Sequence, residues 1–336
     1  MINKYKTQAN NLTLETSQQP SFLNGLTAQQ LNSYQFLLYK HHLTTLFTSM
    51  QQNNIPFLVL KGWSFIPDLY PDPGTRPFGD VDILIHPEEF GKTTTVLTAL
   101  GFTAKNSPSG HIPLEITFSH PAGVHIDLHT HILTLAWWHT AFPIDRQTIW
   151  RSAQPYQDST GLELQCLSPE VTFLHLCLHL FNHGIFNPRF HSYVDLVLLI
   201  RKYGTSMQWD QILQLTKDWH MLNIVDWVSQ VLRRDFQTSL PIQIVRAGLV
   251  PALHPNTIQQ RFIRSQFTAS DKASAQRPSP WRSAFLLRLA LIDNPSILSK
   301  LLFTSIFPNA TLRTAIHNQP CNLLQHWQTY TRRLLQ

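Results

Sequence analysis

Two aspartates stand one residue apart inside a short apolar run, in the stretch RPFGDVDILIH at residues 76–86. Residues i and i+2 of a β-strand project to the same face, so the side chains of Asp80 and Asp82 converge. Val81 and Ile83 then face the core. Two adjacent carboxylates repel each other unless a cation lies between them, so the pair is a candidate divalent-cation site.

A third aspartate, Asp127, lies in a later run, VHIDLHTHI at residues 124–132. If the two runs are neighbouring strands of one sheet, Asp127 lies alongside the pair. Three carboxylates suit Mg²⁺ or Mn²⁺, which prefer hard oxygen ligands and leave room for substrate phosphates. The structural alternative is that Asp80 caps a turn and that Asp82 forms an ion pair with Arg76.

A lysine and a glycine end the preceding apolar run, in LVLKGWSFIPDLY at residues 58–70. A helix is predicted to start directly after Lys61 and Gly62, near Ser64. Backbone N–H groups at such a turn can bind phosphate oxygens, and Lys61 adds a positive charge. Arg76 is a further candidate for a phosphate or pyrophosphate contact, or else for a salt bridge to the acidic pair.

The elements that must position these residues are predicted from periodicity and from the placement of Pro and Gly. A helix is expected at residues 26–54, with Thr27 as its N-cap, and another between Pro87 and Gly101. Short apolar or β-branched runs predict strands at residues 56–62, 81–86, 114–120 and 124–132. This pattern predicts an α+β fold with a small mixed sheet, followed by helices from residue 167 to about residue 235.

The domain organisation follows from these elements and from composition. We expect a loose N-terminal segment at 1–25, an N-terminal helix at 26–54, a sheet-containing domain at 55–160 and a helical C-terminal domain at 161–336. The polar tract TASDKASAQRPSP at residues 268–280 predicts a mobile loop within the last of these.

Composition limits the classes of partner. The net charge is +6 and charged residues make up 14% of the chain, which suits an anionic ligand but lacks the clustered Lys and Arg of a dedicated nucleic-acid-binding protein. No uninterrupted apolar run approaches the roughly 18 residues of a membrane-spanning helix. The three cysteines lack a CxxC spacing, which predicts free thiols and a cytoplasmic location.

Taken together, the motifs resemble those of the uncharacterised nucleotidyltransferase family within the DNA polymerase β-like superfamily. The resemblance covers roughly residues 30–315. It rests on Lys61-Gly62, YPDPGTR at residues 70–76, the acidic pair, HIDLH at residues 125–129 and several helical segments further on. It implies a minimal nucleotidyltransferase fold followed by a helical domain, and a transferase that moves a nucleoside monophosphate from an NTP such as ATP to an acceptor.

The resemblance also implies roles for the residues above. Asp80 and Asp82 would hold two Mg²⁺ (or Mn²⁺) ions, and Asp127 would complete the second metal site. One metal would orient the triphosphate, while the other would lower the pKa of an acceptor hydroxyl for in-line attack on the α-phosphorus. The nucleotide-binding residues implied are Lys61, Gly62, Ser64 and Arg76. In this chain Lys61-Gly62-Trp63-Ser64 stands where the superfamily has a Gly-Ser turn.

Alternatives remain for the function and for the acceptor. A sugar, a small molecule, a peptide and a protein side chain are all compatible acceptors. A chain that keeps the fold but has lost catalysis would act as a nucleotide-binding or partner-sensing module. The motif HIDLHTH also resembles the metal-binding motif of PHP-type metallophosphatases. In those proteins the motif usually opens the chain, whereas here it begins at residue 125, so we prefer the transferase.

Several histidines are secondary candidates. His125 and His129 alternate onto the face of Asp127 and can meet the nucleotide or the acceptor. His175, His179 and His183 are spaced four apart on a predicted helix, which favours packed or hydrogen-bonded histidines over metal ligands, because the helix lacks an HExxH arrangement. The secondary candidates for the cleft are His125, His129, His179 and Asp195.

Overall fold

The chain forms two compact units, each assembled from separate stretches of sequence. The computed structural model describes residues 26–105, 112–134, 138–139, 141–184, 190–241, 288–289, 291–310, 313–314 and 320–335. The sheet unit comprises Met1–Thr134, Ile149–Ser168 and Phe190–Lys202, and the helical unit comprises Leu135–Thr148, Pro169–Arg189 and Tyr203–Gln336. The predicted loose segment at 1–25 and the predicted loop at 268–280 lie outside the described residues.

The sheet unit begins with helix α1 (Ala28–Gln52). Thr27 is its N-cap and forms a capping box with Gln30, as the sequence predicts for Thr27. Five side chains of α1 are buried, namely Tyr39, Leu43, Leu46, Phe47 and Met50. They pack in one core with apolar side chains of the strands, so α1 covers one face of the sheet.

Seven strands form one mixed sheet in the order β3-β4-β5-β2-β1-β7-β6. The strands are β1 (Phe57–Val59), β2 (Val81–Ile85), β3 (Thr103–Ala104), β4 (Glu115–Ser119), β5 (His125–His129), β6 (Ala153–Gln157) and β7 (Glu163–Leu167). The pairs β2-β5 and β1-β7 are parallel, and the other neighbours are antiparallel. The predicted α+β class is therefore confirmed.

The connections between the strands hold short helices. The turn after β1 contains a one-turn 3₁₀ helix (Trp63–Phe65) followed by α2 (Ile66–Leu69), and another 3₁₀ turn spans Pro73–Thr75. Helix α3 (Phe90–Ala99) follows the 3₁₀ turn at Pro87–Glu89. The chain leaves α3 through Gly101, whose φ of 85° favours glycine and marks the predicted helix end.

Strands β3, β6 and β7 are absent from the sequence prediction. Hairpin β6-β7 follows α4 (Arg146–Arg151) and joins the sheet through a single pair between Val59 and Cys166. The sheet therefore extends to Leu167, and position 160, where the sequence placed a domain boundary, lies within the hairpin.

The helices after the sheet carry the remaining described residues. They are α5 (Pro169–His179), which continues as a π-helical turn at Leu180–Gly184, α6 (Phe190–Tyr203), α7 (Trp209–Asp218), α8 (Leu222–Phe236), α9 (Pro295–Ile306) and α10 (Leu323–Leu335). Most of α6 belongs to the sheet unit. In the helical unit Trp138, Phe142 and Phe181 form a buried aromatic cluster, with ring centroids 5.1–6.1 Å apart.

Within the described ranges, no helix combines the length and the apolar composition needed to cross a bilayer.

Candidate functional site

Asp82 and Asp127 are direct neighbours on adjacent parallel strands of the sheet. The register of β2 and β5 pairs Asp82 with Asp127, so the placement predicted from the sequence is confirmed. The residues before and after each aspartate, such as Val81 and Ile126, are fully buried in the core. Alternation along the strands therefore directs both carboxylates to the opposite face. Asp80 lies one residue before β2, and its charge acts on Asp127.

The Asp82 carboxylate has a cationic partner and a hydrogen-bond donor. Lys61 Nζ lies 2.6 Å from Asp82 Oδ2, and His129 Nε2 lies 2.9 Å from Asp82 Oδ1. Burial would raise the pKa of Asp82, but the Lys61 ammonium and the His129 hydrogen bond outweigh it and hold this pKa well below the usual value. The alternative in which Asp82 pairs with Arg76 is wrong, because the ion pair is with Lys61.

Asp127 accepts its hydrogen bond from a neutral side chain, not from a cation. Thr117, the residue opposite it on β4, donates a hydrogen bond from Oγ1 to Asp127 Oδ1 over 2.6 Å. Burial raises the pKa of Asp127, and although the Thr117 bond lowers it, the charges of Asp80 and Asp82 raise it further. Negative charge is therefore costly at Asp127, and a bound cation would relieve this cost.

The donor set fits a hard divalent cation in chemistry, since it consists of carboxylate oxygens. Among the residues that the structure describes, no group of three or more His, Cys, Asp or Glu side chains is already arranged to hold a metal ion. At Asp82, Lys61 lies on one carboxylate oxygen and His129 on the other. A metal ion at Asp82 would therefore compete with the Lys61 ammonium for the carboxylate.

The turn that carries Lys61 is held in place on both sides. Gly62 has φ 80° and ψ −93°, a conformation that favours glycine, and it precedes the 3₁₀ helix at Trp63–Phe65. Trp63 Nε1 donates to Asp158 Oδ1 over 2.9 Å, and both residues are buried. Ser64 is also buried, with 8% of its surface exposed. The sequence prediction of a helix start at this turn is confirmed.

Arg76 lies in a buried ion pair with Asp195 of α6. Its Nε and Nη2 donate to the two oxygens of Asp195 over 2.9 and 2.7 Å, and Tyr70 donates a third hydrogen bond to Asp195 over 2.5 Å. Burial would lower the pKa of Arg76, but the charge of Asp195 outweighs it and raises this pKa. Arg76 thus pairs with Asp195, whereas the sequence suggested a phosphate or the acidic pair. A β-carbon at Gly62 would lie 3.5 Å from Arg76 Nη1, so the guanidinium also supports the Lys61 turn.

The other predicted histidines have different surroundings. His125 Nδ1 lies 3.0 Å from Ser119 Oγ, and its backbone N–H donates to Tyr39. His131 is buried, and its Nδ1 accepts a hydrogen bond from the backbone of Leu133. The His125 contacts lie within the sheet, and the His131 contact lies in the loop that follows β5.

The helix histidines lie in α5 and in the turn that follows it. His175 is buried and His179 is half-buried, both in the helical unit, while the side chain of His183 lies outside the described residues. The candidate site as described therefore consists of residues of the sheet unit.

Thr117, Tyr70 and Asp158 were missed by the sequence analysis. Thr117 could have been found from strand pairing, because β4 and β5 form a hairpin that sets it opposite Asp127. Tyr70 and Asp158 bond to residues 125 and 95 positions away, and no local pattern indicates such partners.

A protein-family model described as "Uncharacterised nucleotidyltransferase" matches residues 10–234 of the chain. The match ends at residue 234, so it does not include the segments up to residue 315 in which the sequence suggested further likeness. No curated protein matches the sequence.

Solved structures with detectable likeness include three that span much of the chain. The antibiotic-resistance factor ANT(2″)-Ia is 14% identical, with a TM-score of 0.37 over 53% of this chain and 89% of its own. The lincosamide antibiotic adenylyltransferase LnuA, solved with lincomycin bound, is 16% identical, with a TM-score of 0.34 over 47% of this chain and 94% of its own. An antigenic nucleotidyltransferase-like protein from Paracoccidioides brasiliensis is 15% identical, with a TM-score of 0.36 over 66% and 92%.

Proposed function

The chain belongs to the uncharacterised nucleotidyltransferase family, and from this premise we propose that it transfers a nucleoside monophosphate from an NTP to an acceptor hydroxyl. Pyrophosphate is the second product. The reacting bonds are those of phosphoryl-type transfer: the acceptor oxygen bonds to the α-phosphorus as the bond to the pyrophosphate oxygen breaks. The acceptor class, whether a sugar, a small molecule, a peptide or a protein side chain, is left open in this proposal.

One observation carries the proposal, which is the direct pairing of Asp82 with Asp127 on adjacent strands. Two carboxylates at neighbouring positions repel each other at close range, and the Lys61 ammonium forms its ion pair with Asp82, so a cation shared with Asp127 would relieve the repulsion further. Asp80 increases the local negative charge, and its effect raises the pKa of Asp127. The cluster therefore supports a role for these acids in binding a cation together with the phosphates of a nucleotide.

We assign Mg²⁺ or Mn²⁺ to Asp80, Asp82 and Asp127. When bound, such an ion would neutralise charge on the triphosphate and lower the pKa of the acceptor hydroxyl. The residues of the chain have their own tasks in this proposal. Asp127 and Asp82 fix the position of the cation on the rigid sheet, and Thr117 keeps the Asp127 carboxylate oriented through its hydrogen bond.

Lys61 would have two partners in turn. Without nucleotide its ammonium neutralises Asp82. With cation and triphosphate bound, Asp82 would hold the cation and Lys61 would be available to bind a phosphate oxygen. Gly62 permits the turn, and Arg76 supports it from within the unit, held by Asp195.

The second candidate function is a nucleotide-binding or partner-sensing module without catalysis. The Lys61–Asp82 ion pair favours it, because an internal ammonium can replace the metal permanently. The phosphatase alternative has less support, because two histidines of its motif already have protein partners: His129 bonds to Asp82, and His131 accepts from Leu133.

Calorimetry and a product assay test the proposal in two steps. Titration of the protein with each NTP in the presence of Mg²⁺ measures binding, and pyrophosphate release in the presence of cell extract measures turnover. Binding together with release, and a labelled product that identifies the acceptor, would support the transferase. Binding without release under any acceptor condition would favour the sensing module. Absence of NTP binding by folded protein would contradict both the transferase and a nucleotide-binding module.

A further inference from the structure

An exposed aromatic patch lies at the C-terminal end of the helical unit. Eight large apolar side chains are exposed among the described residues, and five of them belong to residues 303–327. Their exposed fractions are 63% for Phe303, 50% for Ile306, 46% for Phe307, 61% for Leu324 and 39% for Trp327. Apolar side chains concentrated in this way mark an interaction surface, whereas single exposed residues do not.

The three aromatic side chains of the patch contact one another in sequence. The ring centroids of Phe303 and Phe307 are 5.1 Å apart, and those of Phe307 and Trp327 are 5.7 Å apart in an edge-to-face arrangement. Trp327 Nε1 donates a hydrogen bond to the Ile306 carbonyl and so ties α10 to the end of α9. The aromatic patch is therefore fixed in shape by the fold and does not depend on a partner for its arrangement.

The segment of sequence that carries the patch is basic. Residues 294–336 contain Lys300, Arg313, Arg332 and Arg333 but no Asp or Glu. Lys300 is exposed and precedes Phe303 and Phe307 by three and seven residues, so the three side chains share one stripe of α9 and its end. Arg313 holds the connection between the helices, since it donates to the carbonyls of Pro308 and Cys321.

We propose that the aromatic patch docks on an anionic lipid surface. Phe and Trp rings partition into the interface between headgroups and acyl chains, and a neighbouring Lys adds attraction to anionic headgroups. A second copy of the chain fits less well, because a two-fold interface would bring two basic segments together. The patch lies beyond residue 234, where the family match ends, so the proposal does not depend on the proposed transfer reaction.

Vesicle co-sedimentation of the full chain tests the proposal. The two probes are vesicles of phosphatidylcholine with phosphatidylglycerol and vesicles of phosphatidylcholine alone. Wild-type protein should bind the anionic vesicles more tightly, and added salt should weaken this binding. The double variant Phe303→Ser with Phe307→Ser should lose about tenfold or more in affinity, because burying one Phe contributes roughly that factor. Lys300→Glu should also weaken binding to the anionic vesicles.

Leu37→Ser is the matched control, because Leu37 is 63% exposed, like Phe303, but lies on α1. It should bind vesicles like the wild type. Circular dichroism of each variant checks folding, which should persist because the substituted side chains are exposed. Lack of vesicle binding by folded wild type, or equal binding by the double variant, would overturn the proposal. Self-association that disappears in the double variant, without vesicle binding, would overturn it in favour of a second copy.

Discussion

Arg76 and Asp195 form a two-point ion pair that joins positions 119 residues apart and is almost inaccessible to solvent. A buried pair of this kind contributes little net stability as a pair, because both charges are desolvated, but removal of one partner is costly. The pair also fixes the position of the YPDPGT turn on α6, because Arg76 follows that turn and Asp195 lies on the helix. The ion pair thus connects the segment before the acidic pair to a helix that the chain reaches much later.

Asp195→Asn should destabilise the sheet unit by about 3–5 kcal/mol, because it leaves the Arg76 guanidinium buried without its counter-charge. Urea denaturation followed by tryptophan fluorescence measures the change. Lys202→Met is the control on the same helix, since it removes the half-exposed pair with Asp68, and it should change stability by less than about 1 kcal/mol. Equal small losses in both variants would show that the buried pair does not behave as a unit.

Asp80→Asn and Asp82→Asn should each reduce pyrophosphate release by orders of magnitude, and the double variant should lose little more. Residues that act on shared metals give non-additive losses. Asp127→Asn should reduce pyrophosphate release as strongly, because Asp127 completes the proposed site. His131→Ala should retain most activity, because the Nδ1 atom of His131 bonds to the backbone of Leu133. Additive losses at Asp80 and Asp82 would count against a shared site.

Lys61→Ala should change two affinities in opposite directions. Mn²⁺ binding without nucleotide should tighten, because Asp82 loses its internal ammonium. NTP binding should weaken, and added salt should bring the wild type toward the variant, because partly exposed ion contacts are screened. Calorimetry measures both, with the exposed Lys92→Ala as the control. Unchanged NTP affinity at low salt would remove Lys61 from the nucleotide site.

Gly62→Ala should lower the free energy of unfolding by about 1–3 kcal/mol, the cost of holding an L-residue in an unfavourable backbone region. The loss should come from backbone strain, since the new β-carbon meets Arg76 at an ordinary contact distance of 3.5 Å. Gly79→Ala is the control, because its β-carbon would meet nothing within 4 Å and its φ is not in the left-handed region. Thermal unfolding compares the two, and identical midpoints would contradict the assigned strain.

Asp293 should make stability depend on pH. It accepts hydrogen bonds from the backbone N–H groups of Leu222 and Asn223, but burial outweighs them and raises the pKa of Asp293 to about 7. The folded protein therefore binds this proton more tightly than the unfolded chain, whose Asp pKa is about 4. The free energy of unfolding should fall as pH rises from about 4 to about 7, by at most about 1.4 kcal/mol per pH unit.

The variant Asp293→Asn should flatten that dependence, because it stays neutral throughout. Asp235→Asn, which removes a partner of the exposed Arg234, serves as the control and should keep the wild-type slope. Thermal unfolding at a series of pH values supplies the comparison. If the pH dependence of stability persists in Asp293→Asn, it arises from other groups.

The central strands could be predicted because their sequences carry a strong local signal. Apolar and polar residues alternate along β5, and in β2 Asp82 stands between Val81 and Ile83, so the faces of Asp82 and Asp127 follow from period-two patterning. The start of α1 could be predicted from Thr27, whose side chain caps the helix.

The edge hairpin β6-β7 could not be predicted in the same way. Its first strand, AQPYQ, is exposed or half-buried and contains a proline, so it lacks an apolar pattern. Its place beside β1 depends on a partner about a hundred residues earlier, and non-local pairing of this kind leaves no local signal. The same holds for Lys61 and Asp195, whose types suggested ligand contacts while their observed partners are protein side chains.

The interleaved path of the chain has a consequence for the order of events during synthesis. The ribosome releases the first 134 residues of the sheet unit well before Ile149–Ser168 and Phe190–Lys202. Until α6 has emerged, Arg76 has no Asp195 to neutralise it, and β1 lacks its neighbour β7. Domains that are contiguous in sequence can fold as they appear, N-terminal part first. Here the sheet unit can reach its final form only after α5 of the helical unit has also been synthesised. Nascent chains stalled before residue 203 should therefore remain sensitive to protease.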